Sequence, residues 1–400
     1  MIILLDVDGV LVENRAYRAG IQRTTEYFSR RLSLTARAPS DAEIDVFESE
    51  SITVEWDSCA VVAAALLLAR LNAEARSARG RAALAELPRD WWTLLAALPA
   101  RSAVKHTLDF AALARRVGAA ARTTGLLPAR AALGFYLDDL RHQDQIPAAL
   151  AAPLLEQLLG QVYDIDRSPA MQVFQNYALG DGQYGEYYGL PAHVEGPALL
   201  QELDTSLLSA EVCQAVLDRR AQGGFHPVVF TARPSRTPLE AGGFGRGYTP
   251  ESEIGAELAG LAGVPVMGFG KLDWWARRVG QAGSQLVKPS PIHAMAAIAA
   301  AKTGLEVESI KAALAAERGS QLRFPLTACA GEVVHVFEDS PSSLRGVAQA
   351  VDQLNRLGLG LTLTRHGVAP LGSPKRATLA EAADYVHADV NEGLWEVMRE

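Results

Sequence analysis

The stretch MIILLDVDGV, residues 1–10, sets an apolar run directly against two aspartates and a glycine. Ile2–Leu5 shows no polar alternation, the pattern of a strand buried on both faces of a parallel sheet. In an extended chain, residues two apart project to one side, so Asp6 and Asp8 are expected to face a single cleft. Gly9 then permits a sharp turn and a close backbone approach. One strand cannot stand alone, so its neighbours have to come from further along.

They appear from about Gln201, as PVVFTA at 227–232, VPVMGF at 264–269, EVVHVFED at 332–339 and GLTLTR at 360–365. Helix-like segments separate them, among them Ala210–Gln222, Ala294–Lys302 and Leu344–Leu357. This alternation predicts βαβ units and a parallel sheet with helices on both faces. Between Asn14 and Leu200 the texture differs, being rich in Ala, Leu and Arg with helical periodicity. Tyr17, Ile21, Thr25, Phe28 and Leu32 form one apolar stripe. Ser40 with Glu43 makes a capping box, and Pro99, Gly125, Pro128, Pro147 and Pro153 punctuate further helices. The expected class is α/β, a discontinuous core of residues 1–13 and 201–400 with an all-α domain, 14–200, inserted after the first strand.

A chain of 400 residues suggests two or three domains, and 49% hydrophobic residues allow a sizeable core. The net charge of −8 disfavours nucleic-acid and anionic-membrane partners, which select basic surfaces. With 6 lysines against 32 arginines, a lysine inside a motif is informative. Cys59, Cys213 and Cys329 are far apart, which points to a reducing compartment without disulfides or thiolate metal sites. MIILL lacks a basic leader, and the uncharged run Cys59–Ala69 falls short of the ~20 residues of a membrane span. A cytoplasmic protein is expected, its oligomeric state open.

Four clusters lie at predicted strand ends, where open α/β sheets bind ligands. The first is Asp6-Val7-Asp8-Gly9-Val10, otherwise a strand with an acidic turn. In the second, Thr231, Ala232 and Arg233 follow a strand, where a hydroxyl and backbone N–H groups can meet an anionic oxygen; a helix cap would use the same threonine. The third, Lys288-Pro289-Ser290-Pro291, gives a lysine a restricted backbone at a helix start. The fourth is Glu338-Asp339-Ser340-Pro341. Helix capping explains Asp339 or Ser340 but not a second acid beside them, whereas paired carboxylates suit Mg²⁺.

Taken together and in this order, DxDGV, the strand ending at Thr231, KPSP and EDS, the chain resembles the haloacid dehalogenase (HAD) superfamily. The likeness is greatest to its β-phosphoglucomutase and phosphoglycolate-phosphatase-like branch. It covers residues 1–13 and about 201–390, and implies a Rossmann-like core with a helical cap inserted after the first motif. It also implies that Asp6 attacks phosphorus and that Asp8 serves as acid and then base. Asp6, the Asp8 carbonyl, Asp339 and Glu338 would hold Mg²⁺, with Glu338 acting directly or through water. Thr231, Ala232, Gly9 and Lys288 would bind the phosphoryl group, and Arg233 would contact substrate or an acid of the cap. Asp8 favours phosphoryl transfer over dehalogenation, in which the second aspartate is missing.

The implied activity is a Mg²⁺-dependent phosphatase of a small phosphorylated metabolite. A phosphomutase using the same aspartyl-phosphate is the alternative, and a non-catalytic binding protein a third. The insertion, about 185 residues, is large, and five of the chain's ten tyrosines fall between Tyr163 and Tyr188. These read as a glycine-flexed lid or as packing. The acids Asp41, Glu43, Asp45, Glu48, Glu50, Glu55 and Asp57 read as a solvated face. His335 reads as a core histidine.

Overall fold

The computed structural model describes residues 1–98, 103–142 and 146–399. Pro99, one of the expected helix breakers, lies outside them. The chain forms two compact units, Met1–Asn14 with Leu203–Glu400, and Arg15–Glu202.

The described residues contain ten strands: β1 (Ile2–Leu5), β2 (Val12–Glu13), β3 (Leu34–Thr35), β4 (Val104–Lys105), β5 (Thr205–Ser206), β6 (His226–Phe230), β7 (Val266–Met267), β8 (Val333–Glu338), β9 (Thr362–Val368) and β10 (Tyr385–His387). The first unit is built on a six-stranded sheet in the order β10-β9-β8-β1-β6-β7, parallel throughout. β1 lies at its centre, pairing Leu5 with Val229 on one side and with Phe337 on the other. Central placement explains the unbroken apolar run, because Ile2 and Leu4 enter the core on one face while Ile3 and Leu5 enter that on the other. Of the expected strands, VPVMGF shortens to two residues at an edge, and β10 was not anticipated from its sequence. The helix expected at Ala210–Gln222 has those bounds, and the next two run over Pro291–Thr303 and Pro341–Arg356. β2 and β5 form a separate antiparallel pair, Val12 opposite Ser206.

The second unit is mostly helical, with one short parallel pair, β3 with β4, that the all-α expectation lacks. Helices Ala16–Arg31, Glu55–Ala75 and Pro169–Tyr188 pack on one another. Tyr17, Ile21, Thr25, Phe28 and Leu32 are all buried, as the stripe predicts, and the Glu43 carboxylate accepts the Ser40 N–H at 2.9 Å. Gly125 closes one helix and Pro128 opens the next, but Pro153 sits inside helix Ala148–Leu159 rather than ending one. Helix Glu55–Ala75 is long and apolar enough to cross a membrane by length and composition. Here it is the buried centre of the helical unit and carries the buried Arg70, which pairs with Glu74.

The acidic stretch divides. Asp41, Asp45 and Glu48 are exposed, and Arg18 pairs with the last two. Asp57 departs from that face: it is 1% exposed and accepts hydrogen bonds from the Ala129 N–H and the Tyr163 hydroxyl. Tyr184, Tyr187 and Tyr188 are buried on a helix that kinks at Gly180, where φ is 72°. That conformation suits glycine, and a Cβ there would lie 2.7 Å from the Ala198 nitrogen.

Candidate active site

Two carboxylates at the ends of adjacent central strands and a third one residue further on meet in the first unit. Asp6 follows β1, Glu338 closes β8, and Asp339 comes next. One oxygen from each lies within 4.8 Å of the others. Parallel register brings this about: Leu5 pairs with Phe337, and the Asp6 N–H donates to the Phe337 carbonyl at 3.1 Å.

The Lys288 ammonium sits among them, 2.7 Å from Asp6 Oδ1 and 2.8 Å from Glu338 Oε1. It also donates to the Phe230 carbonyl at 3.3 Å. Its side chain is 7% exposed, so it is not a loose surface lysine. Burial alone would lower its pKa, but the charges of Asp6 and Glu338 outweigh that and raise it. Burial pushes the Asp6 carboxyl up against the opposing pull of Lys288, and it holds Glu338 well above the usual range, helped by Asp6. Three acids thus crowd around one buried ammonium.

Glu338 Oε2 is buried without a hydrogen-bond partner. Hard carboxylate oxygens crowded together, one of them orphaned, fit a hard divalent cation such as Mg²⁺. Gly9 packs directly on this group: with φ at +73°, a Cβ there would lie 2.9 Å from Asp339 Oδ2. The turn behind it wraps on the Val7 carbonyl, which accepts the N–H groups of Leu11 and Val12 at 3.0 and 2.8 Å.

Asp6 and Asp8 lie close enough for the Asp8 charge to push the Asp6 carboxyl up, but strand alternation is not what brings them there. β1 ends at Leu5, the chain turns at once, and the two carboxylates take different partners. Asp8 meets Arg233, with Nη2 2.6 Å from Oδ1. Arg233 also pairs with Asp204, and both of these acids belong to the α/β unit. Thr231 follows β6, is buried, and accepts the Arg233 N–H on Oγ1 at 3.2 Å. Ala232 beside it is exposed. Ser340 occupies the N-cap position of helix Pro341–Arg356 without a side-chain cap bond.

Two residues escaped the sequence reading. His293, buried in the first turn of helix Pro291–Thr303, accepts the Lys288 N–H; its position five residues after the lysine, on a helix started by Pro291, was the available signal. Lys375 donates to Asp339 Oδ2 at 2.7 Å, and nothing local in the sequence announces it. His335 is a buried core histidine as expected, bonded at 3.0 Å to His366.

No family model matches the chain, and no curated protein does. A solved X-ray structure described only as a Northeast Structural Genomics Consortium target resembles it with a TM-score of 0.63 and 15% identity, covering 98% of this chain and 98% of that one. At that identity the likeness shows a shared fold and nothing more: a mixed α/β architecture with a Rossmann-like parallel sheet.

Proposed function

We propose that the chain is a Mg²⁺-dependent phosphatase of the haloacid dehalogenase superfamily, acting on a small phosphorylated metabolite. The observation that carries this reading is the meeting of Asp6, Glu338 and Asp339 with Lys288 at the C-terminal end of the sheet. An acidic cluster with one fixed ammonium is poorly suited to binding an anion by itself and well suited to doing so with a divalent cation. When bound, Mg²⁺ would neutralise the repulsion between carboxylate and phosphate.

Asp6 is the nucleophile in this reading. One oxygen forms a bond to phosphorus while the bond from phosphorus to the leaving oxygen breaks, and Asp8 gives that oxygen its proton. Water then attacks phosphorus, the bond to Asp6 breaks, and Asp8 takes up the proton released. Lys288 restrains Asp6 through the 2.7 Å contact at Oδ1 and places positive charge beside the transferring group. Thr231, with the exposed Ala232 next to it, supplies donors at the end of β6.

The test is hydrolysis of p-nitrophenyl phosphate with and without Mg²⁺, beside an Asp6→Asn control. Mg²⁺-dependent turnover lost in Asp6→Asn supports the reading; wild-type turnover no higher than the control's rejects it. Trapping labelled phosphoenzyme and finding whether water or a sugar hydroxyl accepts the group separates phosphatase from phosphomutase.

A further inference from the structure

The Asp8 carboxylate is gripped from one side by a single buried guanidinium. Arg233 Nε lies 3.0 Å from Oδ1 and 3.1 Å from Oδ2, and Nη2 lies 2.6 Å from Oδ1. Nη2 also donates to Asp204 Oδ2 at 3.0 Å. The side chains of Arg233 and Asp204 are each 1% exposed, whereas that of Asp8 is 32% exposed. A planar guanidinium bonded this way fixes the plane and direction of its carboxylate, which a point-like ammonium does not. The fork itself is held. The Arg233 N–H is bonded to Thr231 Oγ1, its carbonyl accepts from Ser252 Oγ at 3.0 Å and from the Phe269 N–H at 3.0 Å, and Asp204 holds Nη2, the nitrogen that also meets Asp8.

The two Asp8 oxygens are not equivalent. Oδ1 receives two contacts, at 2.6 and 3.0 Å, while Oδ2 receives one, at 3.1 Å from Nε. Oδ2 is therefore the oxygen left to exchange a proton. Asp204 immediately precedes β5, the partner of β2, and β2 begins four residues after Asp8. One buried arginine thus ties the Asp8 turn to the strand pair that follows it.

We propose that Arg233 is a positioning residue that aims the Asp8 carboxylate, presenting Oδ2 to the leaving oxygen, with Asp204 holding the guanidinium in place. This rests on the phosphatase reading above. Arg233 touches no reacting atom; it acts through Asp8.

The experiment compares two aryl phosphates with the full-length protein and Mg²⁺. Phenyl phosphate expels an oxygen that needs a proton, and 2,4-dinitrophenyl phosphate expels one that does not. Arg233→Gln is expected to lower kcat/KM, which reports the steps up to release of the phenol, about tenfold more for phenyl phosphate than for the dinitrophenyl ester. Arg233→Lys should restore only part of the loss. Asp204→Asn, which keeps an acceptor for Nη2, should show the same selectivity in weaker form and serves if Arg233→Gln does not fold. Adding Arg233→Gln to Asp8→Asn should cost nothing further for phenyl phosphate. Equal losses on both esters, or additive losses in the double variant, would overturn the proposal while leaving the phosphatase reading intact. Loss of that reading shows separately, as turnover indifferent to Asp6→Asn. In that event a crystal structure of Arg233→Gln or Asp204→Asn decides, since an Asp8 carboxylate unmoved in both rejects the positioning role.

Discussion

The Lys288 backbone N–H donates to Nδ1 of His293 at 3.0 Å. The opposite ring nitrogen, Nε2, lies 2.9 Å from the Met267 carbonyl, which assigns the proton to Nε2 and leaves Nδ1 as the acceptor. Burial pushes the pKa of this ring down to about 3, so it is neutral at working pH. His293 thus staples the loop carrying Lys288 to the end of β7.

A His293→Ala variant should lose both bonds, leaving the Lys288 N–H unpaired and the Met267 carbonyl with the Thr231 N–H as its remaining donor. A stability cost of about 1–3 kcal/mol is expected from the unpaired N–H. Turnover should fall further than stability alone explains, because Lys288 is no longer fixed against Asp6. Urea unfolding and aryl phosphate hydrolysis, measured well below the unfolding transition, check the two effects separately. Full activity in a destabilised variant would show that Lys288 is positioned without His293.

Gly9→Ala tests the close approach of the opening turn to Asp339. A residue with a Cβ at φ of +73° carries left-handed strain of about 1–2 kcal/mol. The added carbon would also stand 2.9 Å from Asp339 Oδ2, so the carboxylate has to move. The variant should fold with reduced stability and bind Mg²⁺ more weakly by calorimetry. Unchanged Mg²⁺ affinity would mean that Asp339 is not among the ligands.

Much of this arrangement was legible in advance, for reasons that differ between elements. β1 and β8 announced themselves because central strands of a parallel sheet must be apolar on both faces, and Ile2–Leu5 and Val333–Phe337 are nearly so. β10 did not, because an edge strand of three residues carrying a tyrosine and a histidine has no periodicity to read. Asp6, Glu338 and Asp339 were found because acids at strand ends have few structural reasons to be there. Alternation was the wrong ground for setting Asp8 beside Asp6, because it holds only while the chain stays extended, and β1 stops one residue before Asp6. Asp57 was hidden inside a run of solvated acids, since a one-residue difference in helical phase separates a wet position from a dry one. Lys375 lies 36 residues from Asp339, and a contact that distant leaves no local trace.

That contact yields its own prediction. The Lys375 ammonium pairs with Asp339 from the solvent side, 56% exposed, where it would compete with a divalent cation for the same carboxylate. Exposed pairs of this kind are worth about 0.2–1 kcal/mol. Lys375→Ala should therefore tighten Mg²⁺ binding by up to about fivefold, read by calorimetric titration at low ionic strength. Weaker Mg²⁺ binding in the variant would contradict the competition.

In the helical unit, Asp57 is a carboxylate whose burial works against the fold at neutral pH. Desolvation raises its pKa from 3.8 to about 6, opposed by the hydrogen bonds from Tyr163 and Ala129. The folded state therefore binds the Asp57 proton more tightly than the unfolded state does. Between about pH 4 and pH 6 the native protein carries the extra proton, so this group's contribution to stability falls as pH rises through that window. Above it the ionised, buried carboxylate is a standing cost. Asp57→Asn keeps an acceptor for the Ala129 N–H and cannot ionise. The variant should match the wild type at pH 4 and exceed it at pH 7.5 by on the order of 2–3 kcal/mol, measured by urea unfolding with tryptophan fluorescence. A difference between the two proteins that is the same at both pH values would show that ionisation of Asp57 is not its source.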